Sequence, residues 1–353
     1  MKIYQKYIVY SYLKNFFIIF LSLEFFYVGI DAITNYAKFP ESANLKLLYV
    51  VFKILDAINY AMPLSIIFAM IVTKLSMLKS NELVVLYSCG LSKKSVIKPI
   101  FLTSIFLTFI YIILNFTPFV YAYEYSLNLL KYNTISKTSS RLFLKNDNQY
   151  IYFQNLEPLK KQARGIKIFY IRDGDLTKIV SAKSGYFKQD YWVLKDVKIE
   201  YKPKIIGIDS KGLEIVYKDR IEALKNFKPK IIENVHKGKF KMPIGDTWEA
   251  IKFFAAQNLN LDRLKTLLVS QILIPFFAPL LVLIFYFYLP ASSRFLNATL
   301  YSSFFIFITL VLWGLLFVLT KLSSTSVIFP EVGVVLPMII LGLFALYKYH
   351  KEN

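Results

Sequence analysis

Apolar positions in this chain are gathered into long runs from which charge is nearly absent. The first runs from about Phe16 to Ile33, behind a short start carrying Lys2 and Lys6. Its Phe, Leu and Tyr are bulky and no small-residue cleavage site follows, so it reads as a retained helix and not a signal peptide. A second run lies near Ile54 to Met77 and a third near Val96 to Tyr121, each long enough to cross about 30 Å of hydrocarbon. Pro63 and Pro118 should kink these helices or mark their ends. After a long polar interval come runs near Leu264 to Leu289, Phe295 to Leu319 and Val327 to Tyr347. The pattern predicts six spans, three on each side of an inserted domain.

Between the two sets the periodicity changes from continuous apolar runs to alternation, the mark of half-buried strands. Gln149 to Phe153, Gly165 to Ile171, Tyr191 to Tyr201 and Gly212 to Tyr217 are rich in Ile, Val, Tyr and Phe with charges interleaved. Val197, Ile199 and Tyr201 form one face, and Asp196, Lys198 and Glu200 the other. Turn chemistry at Arg172-Asp173-Gly174-Asp175 and Ser210-Lys211-Gly212 separates strands. Short strands joined by tight turns imply an antiparallel sandwich or jelly roll. The sheet should end before Asp246-Thr247-Trp248-Glu249, where Asp246 caps a helix and Glu249 reaches back. The expected division is residues 1–122 for spans one to three, 123–262 for the β domain and 263–353 for spans four to six.

Composition agrees with a lipid-facing surface. The 353 residues are 56% hydrophobic and only 19% charged, with a mean hydropathy of +0.46, too apolar for an ordinary soluble protein with one core. The formal charge of +20 does not point to nucleic acid, because the basic residues are not clustered beside stacking aromatics. Cys89 is the only cysteine, so no intrachain disulfide, zinc cluster or redox pair is available.

Orientation follows from Lys and Arg in short loops and at span ends. Lys2, Lys6, Lys74, Lys79, Lys93, Lys94, Lys98, Arg294, Lys348 and Lys351 fall on one side and outnumber Lys38, Lys46, Lys53 and Lys321 on the other. Both termini and the loop between spans two and three are therefore expected in the cytoplasm, with the β domain outside. Catalytic signatures are missing from the sequence. His236 and His350 are the only histidines and neither has a metal-ligand partner at helical spacing. Gly90 to Ser95 lacks the second glycine of a nucleotide cradle. Neither a metal site, a bound cofactor nor catalysis is expected in this chain.

The segment Ser80 to Ser92, between spans two and three, predicts a short capped amphipathic helix near residues 80–90. Ser80 would cap its start, Gly90 suits its end, and Ser92 would cap span three. Leu83, Leu86, Tyr87 and Gly90 fall within one face, and Glu82 lies at the positive end of the helix dipole. One reading is a helix lying in the lipid headgroups. The acidic start and modest basicity favour docking to a protein.

Asn81-Glu82-Leu83-Val84-Val85-Leu86-Tyr87-Ser88-Cys89-Gly90 resembles the S-E-L-V-V-M-x-A-x-G stretch of the lipopolysaccharide-export permeases LptF and LptG. The likeness extends to the whole plan of three spans, a periplasmic β-jellyroll and three more spans. Phe329-Pro330-Glu331-Val332-Gly333-Val334-Val335-Leu336-Pro337 is more like LptG, as are Tyr150 to Phe153 and Gly165 to Phe169. Cys89-Gly90-Leu91-Ser92-Lys93 reads more like LptF. The resemblance implies half of an ABC transporter in the inner membrane, paired with a paralogous permease (LptF if this chain is LptG) and driven by a separate LptB-type ATPase dimer that uses the ATP. Lipopolysaccharide would pass sideways between span one of one permease and span five of the other, then along the jellyrolls to an LptC/LptA-type bridge toward the outer membrane. Glu82 would face an arginine of the ATPase, with Leu83, Leu86, Tyr87 and Gly90 forming the rest of the ATPase-coupling site.

In span one, Glu24, Asp31 and Lys38 recur every seven residues and fall near one helix face. Ionisable groups in a bilayer are costly and usually functional. The resemblance implies a substrate-binding seam in which Lys38 meets lipid phosphates, Asp31 and Glu24 line the path, and Tyr27 contacts acyl chains. The family carries basic residues here, whereas this chain has the apolar Val28. A structural reading is equally open, with Glu24 and Asp31 pairing with Lys53 or another helix. Two rival classes are an ion-coupled secondary transporter using Glu24, Asp31 and Asp56, and a non-transporting membrane assembly protein.

Overall fold

The computed structural model describes residues 2–135, 139–146, 148–158, 160–172, 174–203, 212–225, 227–229, 241–255, 260–290 and 297–351. Asp173, Ser210, Lys211, His236, Arg294 and Phe295 lie outside the described residues. The chain divides into two compact units, Met1–Ser126 with Pro243–Gly245 and Asn260–Asn353, and Leu127–Met242 with Asp246–Leu259.

Among its described residues the first unit carries six helices long and apolar enough to cross a membrane. Span one is α1 (Ile3–Asn35), extended by a 3-10 turn at Tyr36–Lys38. Span two is α2 (Ala43–Lys79), which continues through Pro63. A short helix, α3 (Glu82–Ser88), leads to span three, α4 (Lys93–Leu114). Pro118 opens a 3-10 turn beyond α4, with Thr117 Oγ1 accepting from the Phe119 amide at 3.3 Å, and α5 (Ala122–Tyr132) follows. Proline's missing N–H suits the first turn, which is why Pro118 ends the span instead of kinking it.

Span four, expected as one helix, is broken into α7 (Asp262–Leu273) and α8 (Phe277–Tyr288) by a 3-10 turn containing Pro275. Span five is α9 (Ala298–Ser324). Span six enters through a π turn at Glu331–Val335 and continues as α10 (Leu336–Lys351). The centre of the bundle is α2, whose apolar stretch is mostly buried, whereas spans one and five bury little of theirs. Spans one and five therefore present most of their apolar surface outward. Polar ties register α1 on α2: the Tyr12 hydroxyl donates to the Ile66 carbonyl at 2.9 Å, and Asn15 Nδ2 donates to Thr73 Oγ1 at 2.9 Å. In hydrocarbon such interhelical bonds replace the packing force that water would supply.

The second unit holds a six-stranded antiparallel sheet in the order β1 to β6. The strands are β1 (Ser139–Asn146), β2 (Gln149–Glu157), β3 (Gln162–Arg172), β4 (Asp175–Lys188), β5 (Tyr191–Tyr201) and β6 (Glu214–Ala223). Every consecutive pair of described strands is hydrogen-bonded, so they form an open sheet and not a closed barrel. Gly174 takes φ +82° in the two-residue connection that pairs Arg172 with Asp175, a geometry that suits glycine. One face buries Ile151, Phe153, Ile166, Ile168, Val180, Trp192, Val197 and Ile199. Trp192 Nε1 donates to the Phe227 carbonyl at 2.8 Å, tying the chain beyond β6 back over that face. The helix expected at Asp246 is α6 (Ile244–Ala255), which starts earlier, so Asp246 sits in the first turn and not at the cap. Glu249 pairs with Lys228 instead of reaching back.

Candidate functional site

Two polar constructions stand at opposite ends of the helical unit. At one end, α3 is fixed by its termini. Asn81 precedes it with φ 60° and makes no side-chain cap bond, and the Ser80 hydroxyl bonds back to the Ser76 carbonyl at 3.0 Å. Ser80 thus closes α2 and does not cap α3, because the left-handed Asn81 intervenes. At the far end Gly90 takes φ +80°. The Gly90 amide donates to Tyr87 O at 3.0 Å and the Leu91 amide to Leu86 O at 3.2 Å. These paired bonds are a Schellman motif, which a glycine accommodates without Cβ strain. Ser92 Oγ accepts from the Ser95 amide at 3.2 Å and caps α4 as expected.

Burial divides α3 into two faces. Leu83 is fully buried, and Leu86 and Tyr87 pack against the membrane core. Val84, Val85, Ser88, Cys89 and Gly90 are exposed, and Val85 retains 58% of its accessible surface. Glu82 is half-buried and its Oε2 accepts from the Tyr7 hydroxyl of α1 at 2.8 Å.

Through Tyr286, the buried face of α3 is linked to an unexpected buried cation. Lys74, counted from the sequence among the cytoplasmic charges near the end of span two, is buried inside α2 at 3% exposure. The chain stays helical to Lys79, so Lys74 faces the bundle. Its ammonium donates to the Tyr286 carbonyl and, at 2.7 Å, to the Leu289 carbonyl, and stands 4.2 Å from the centre of the Tyr286 ring. A lysine thereby satisfies the last carbonyls of α8 and complements its dipole. The Tyr286 hydroxyl is 3.0 Å from that of Tyr87 on α3. Burial pushes the Tyr87 phenol above its ordinary pKa, so it stays a neutral hydrogen-bonding group. A lysine beside the end of an apolar run was the one visible signal for this arrangement.

At the opposite end, α1 and α2 enclose a polar cluster. Lys53 Nζ lies 2.8 Å from Asp31 Oδ1. The Tyr49 hydroxyl donates to the other Asp31 oxygen, and Asn35 Nδ2 donates to Oδ1 at 3.3 Å. The Tyr27 hydroxyl donates to Asp56 Oδ2 at 3.1 Å and its ring stacks on Tyr60. Tyr111 reaches the same cluster through Asn59 Oδ1 at 3.1 Å. Glu24 is 6% exposed, and neither carboxylate oxygen has a hydrogen-bond partner among the described residues. Lys38 is exposed in the 3-10 turn. Asp31 and Tyr27 are thus brought into one network with Lys53, Tyr49 and Asp56, whereas Lys38 and Glu24 do not join its hydrogen bonds among the described residues. Alongside lies a cavity of about 460 Å³, lined by Tyr27, Ile30, Asp31, Tyr60, Leu64 and Trp313 among others. A second, larger cavity of about 760 Å³ between α8, α9 and α10 is lined by apolar side chains such as Leu281, Ile308 and Leu341.

This combination of spans, inserted antiparallel sheet and short inter-span helix agrees with what the whole sequence matches. Residues 6–351 fit the description lipopolysaccharide export system permease LptF/LptG. The chain belongs to the LptF/LptG family. Among curated proteins none matches it. As a family member it is a multi-pass inner-membrane permease for lipopolysaccharide export that works with other components of that system. It is a transport subunit and not a catalytic one. The non-transporting assembly protein gives way to this assignment.

Proposed function

We propose that this permease is one membrane half of an ATP-driven exporter, with α3 as the surface on which a separate cytoplasmic ATPase dimer acts. The observation that carries this reading is the division of α3 into a buried face and an exposed one. Leu83, Leu86 and Tyr87 seat the helix on the bundle, leaving Val84, Val85, Ser88 and Cys89 for a partner, with Glu82 at their edge. A mostly apolar, partly dry contact with one carboxylate suits a groove bearing a cation. Within the coupling segment, Leu83, Leu86 and Tyr87 build the helix seat, the exposed Gly90 closes its end, and Glu82 with the two valines meets the ATPase. Both termini then lie in the cytoplasm and the β domain in the periplasm, consistent with the excess of Lys and Arg at the α3 end.

Spans one and five expose most of their apolar surface, which supports pairing with a paralogous permease so that lipid passes between span one of one and span five of the other. The cavity beside Tyr27 and Trp313 is apolar along its length and polar at Asp31, a suitable wall for acyl chains below a headgroup. Lys38, exposed just beyond α1, meets the lipid phosphates, while Asp31 holds its side of the wall in shape. The open β sheet hands lipid to a periplasmic bridge protein through an outer strand edge that pairs with no other described strand, since unpaired edges recruit further strands.

The test is co-isolation of the ATPase and the second permease, followed by ATP-driven lipid release after reconstitution. Val85→Asp and Glu82→Ala should lower ATPase retention while the permease pair stays assembled. Full retention and normal release in both variants would remove α3 from the interface.

A further inference from the structure

We propose that Tyr87, Tyr286 and Lys74 form a rigid tie that makes α3 move with span four, and that Tyr7 makes a second tie to span one; this rests on α3 being the ATPase surface. Apolar contacts such as those of Leu83 resist separation but not sliding, because dispersion and burial have little directional preference. A hydrogen bond fixes both distance and direction. The Tyr87 hydroxyl meets that of Tyr286 at 3.0 Å. Tyr286 in turn is held by Lys74: its carbonyl accepts from that ammonium, and its ring lies 4.2 Å from it. Lys74 also holds the Leu289 carbonyl at 2.7 Å, so the end of α8 is gripped at two carbonyls by one side chain of α2.

The chain itself joins α3 to α2 through Ser80–Asn81 and to α4 through Cys89–Ser92. The two hydroxyl contacts add spans that are distant in sequence: Tyr87 reaches span four and Tyr7 reaches Glu82 from span one at 2.8 Å. A displacement of α3 is therefore shared among spans one to four. Tyr7 has a second consequence. It holds Glu82 in place beside the exposed valines, so the carboxylate offered to the partner is pre-oriented and loses less freedom on docking. Tyr87, Tyr286, Lys74 and Tyr7 are positioning residues that act through α3.

The experiment uses the reconstituted complex of this permease, its paralogue and the ATPase, and reads lipid released per ATP hydrolysed. Tyr87→Phe and Tyr286→Phe keep the rings and remove one hydroxyl each. Each should leave ATPase association and thermal stability in place while lowering lipid released per ATP by roughly two- to tenfold, the factor one hydrogen bond commands. The double variant should fall no further than either single, because the same bond is lost. An unchanged ratio in the singles, or a double variant showing the product of two independent losses, overturns the tie. A purely structural role would lower stability and association and leave the ratio alone, which also overturns it. Val85→Asp separates the underlying reading: if the ATPase stays bound in that variant, α3 is not the docking surface, whatever the tyrosine variants show.

Discussion

Lys53 Nζ stands 2.8 Å from Asp31 Oδ1, joining spans one and two by an ion pair in which both side chains are largely withdrawn from solvent. Tyr49 donates to the same carboxylate, so Asp31 is committed inside the protein. Asp31→Asn and Lys53→Met should each destabilise the helical unit by up to about 3–5 kcal/mol, since each removes the counter-charge of a buried partner that keeps only weaker contacts. The double variant should recover much of that loss. Thermal unfolding of the purified complex decides; a double variant as poor as the sum of the singles would show that the two residues act separately.

Glu24 invites the opposite expectation. It is buried in α1 without a hydrogen-bond partner among the described residues, and an ionised carboxylate in such a place is costly. Glu24→Gln keeps the shape and removes the charge, so stability should be unchanged or higher by up to about 1 kcal/mol, in contrast to the Asp31 variants. A clear fall in melting temperature would mean that the carboxylate is engaged after all.

Gly333 sits in the π turn at the start of span six, where a Cβ would meet Ile328 Cδ1 and the Leu319 carbonyl, each at 2.9 Å, and also Ser323. The Leu319 oxygen belongs to the backbone of α9 and cannot turn aside. Gly333→Ala should cost about 1–3 kcal/mol by overpacking. Gly342 has open space around it and serves as the control, with Gly342→Ala expected to be nearly silent or slightly stabilising in its helix. Equal effects at the two glycines would contradict close packing of spans five and six.

Lys38 is exposed at the end of span one, and its proposed contact with lipid phosphates has a charge signature. Lys38→Glu should weaken lipopolysaccharide binding more than Lys38→Ala, because reversal adds repulsion to lost attraction. Both defects should grow as ionic strength falls, since a wet site is screened within about 10 Å at 0.1 M salt. Binding measured for both variants at two salt concentrations checks this. The same affinity in every case would take Lys38 out of the site.

The sequence by itself determined the plan: six apolar runs, an alternating insert and a capped segment around Glu82. These are local properties, written in hydropathy period and in turn residues such as Gly90, Ser92 and Gly174, and they need no knowledge of what lies across the bundle. Strands β1 and β4 were missed at that level because interleaved Lys and Ser blurred their alternation, and the break at Pro275 because the run around it is uniformly apolar. Tertiary structure decided the rest. Only packing shows that the face of α3 carrying Leu83, Leu86 and Tyr87 turns inward, since an amphipathic pattern names an apolar face without saying what covers it. Only packing brings Lys74 to carbonyls more than two hundred residues away and joins Asp31 to Lys53 while leaving Glu24 without a hydrogen bond among the described residues. Charge spacing along one helix fixes which side chains share a face; the partner opposite depends on helix contacts that no single stretch of sequence contains.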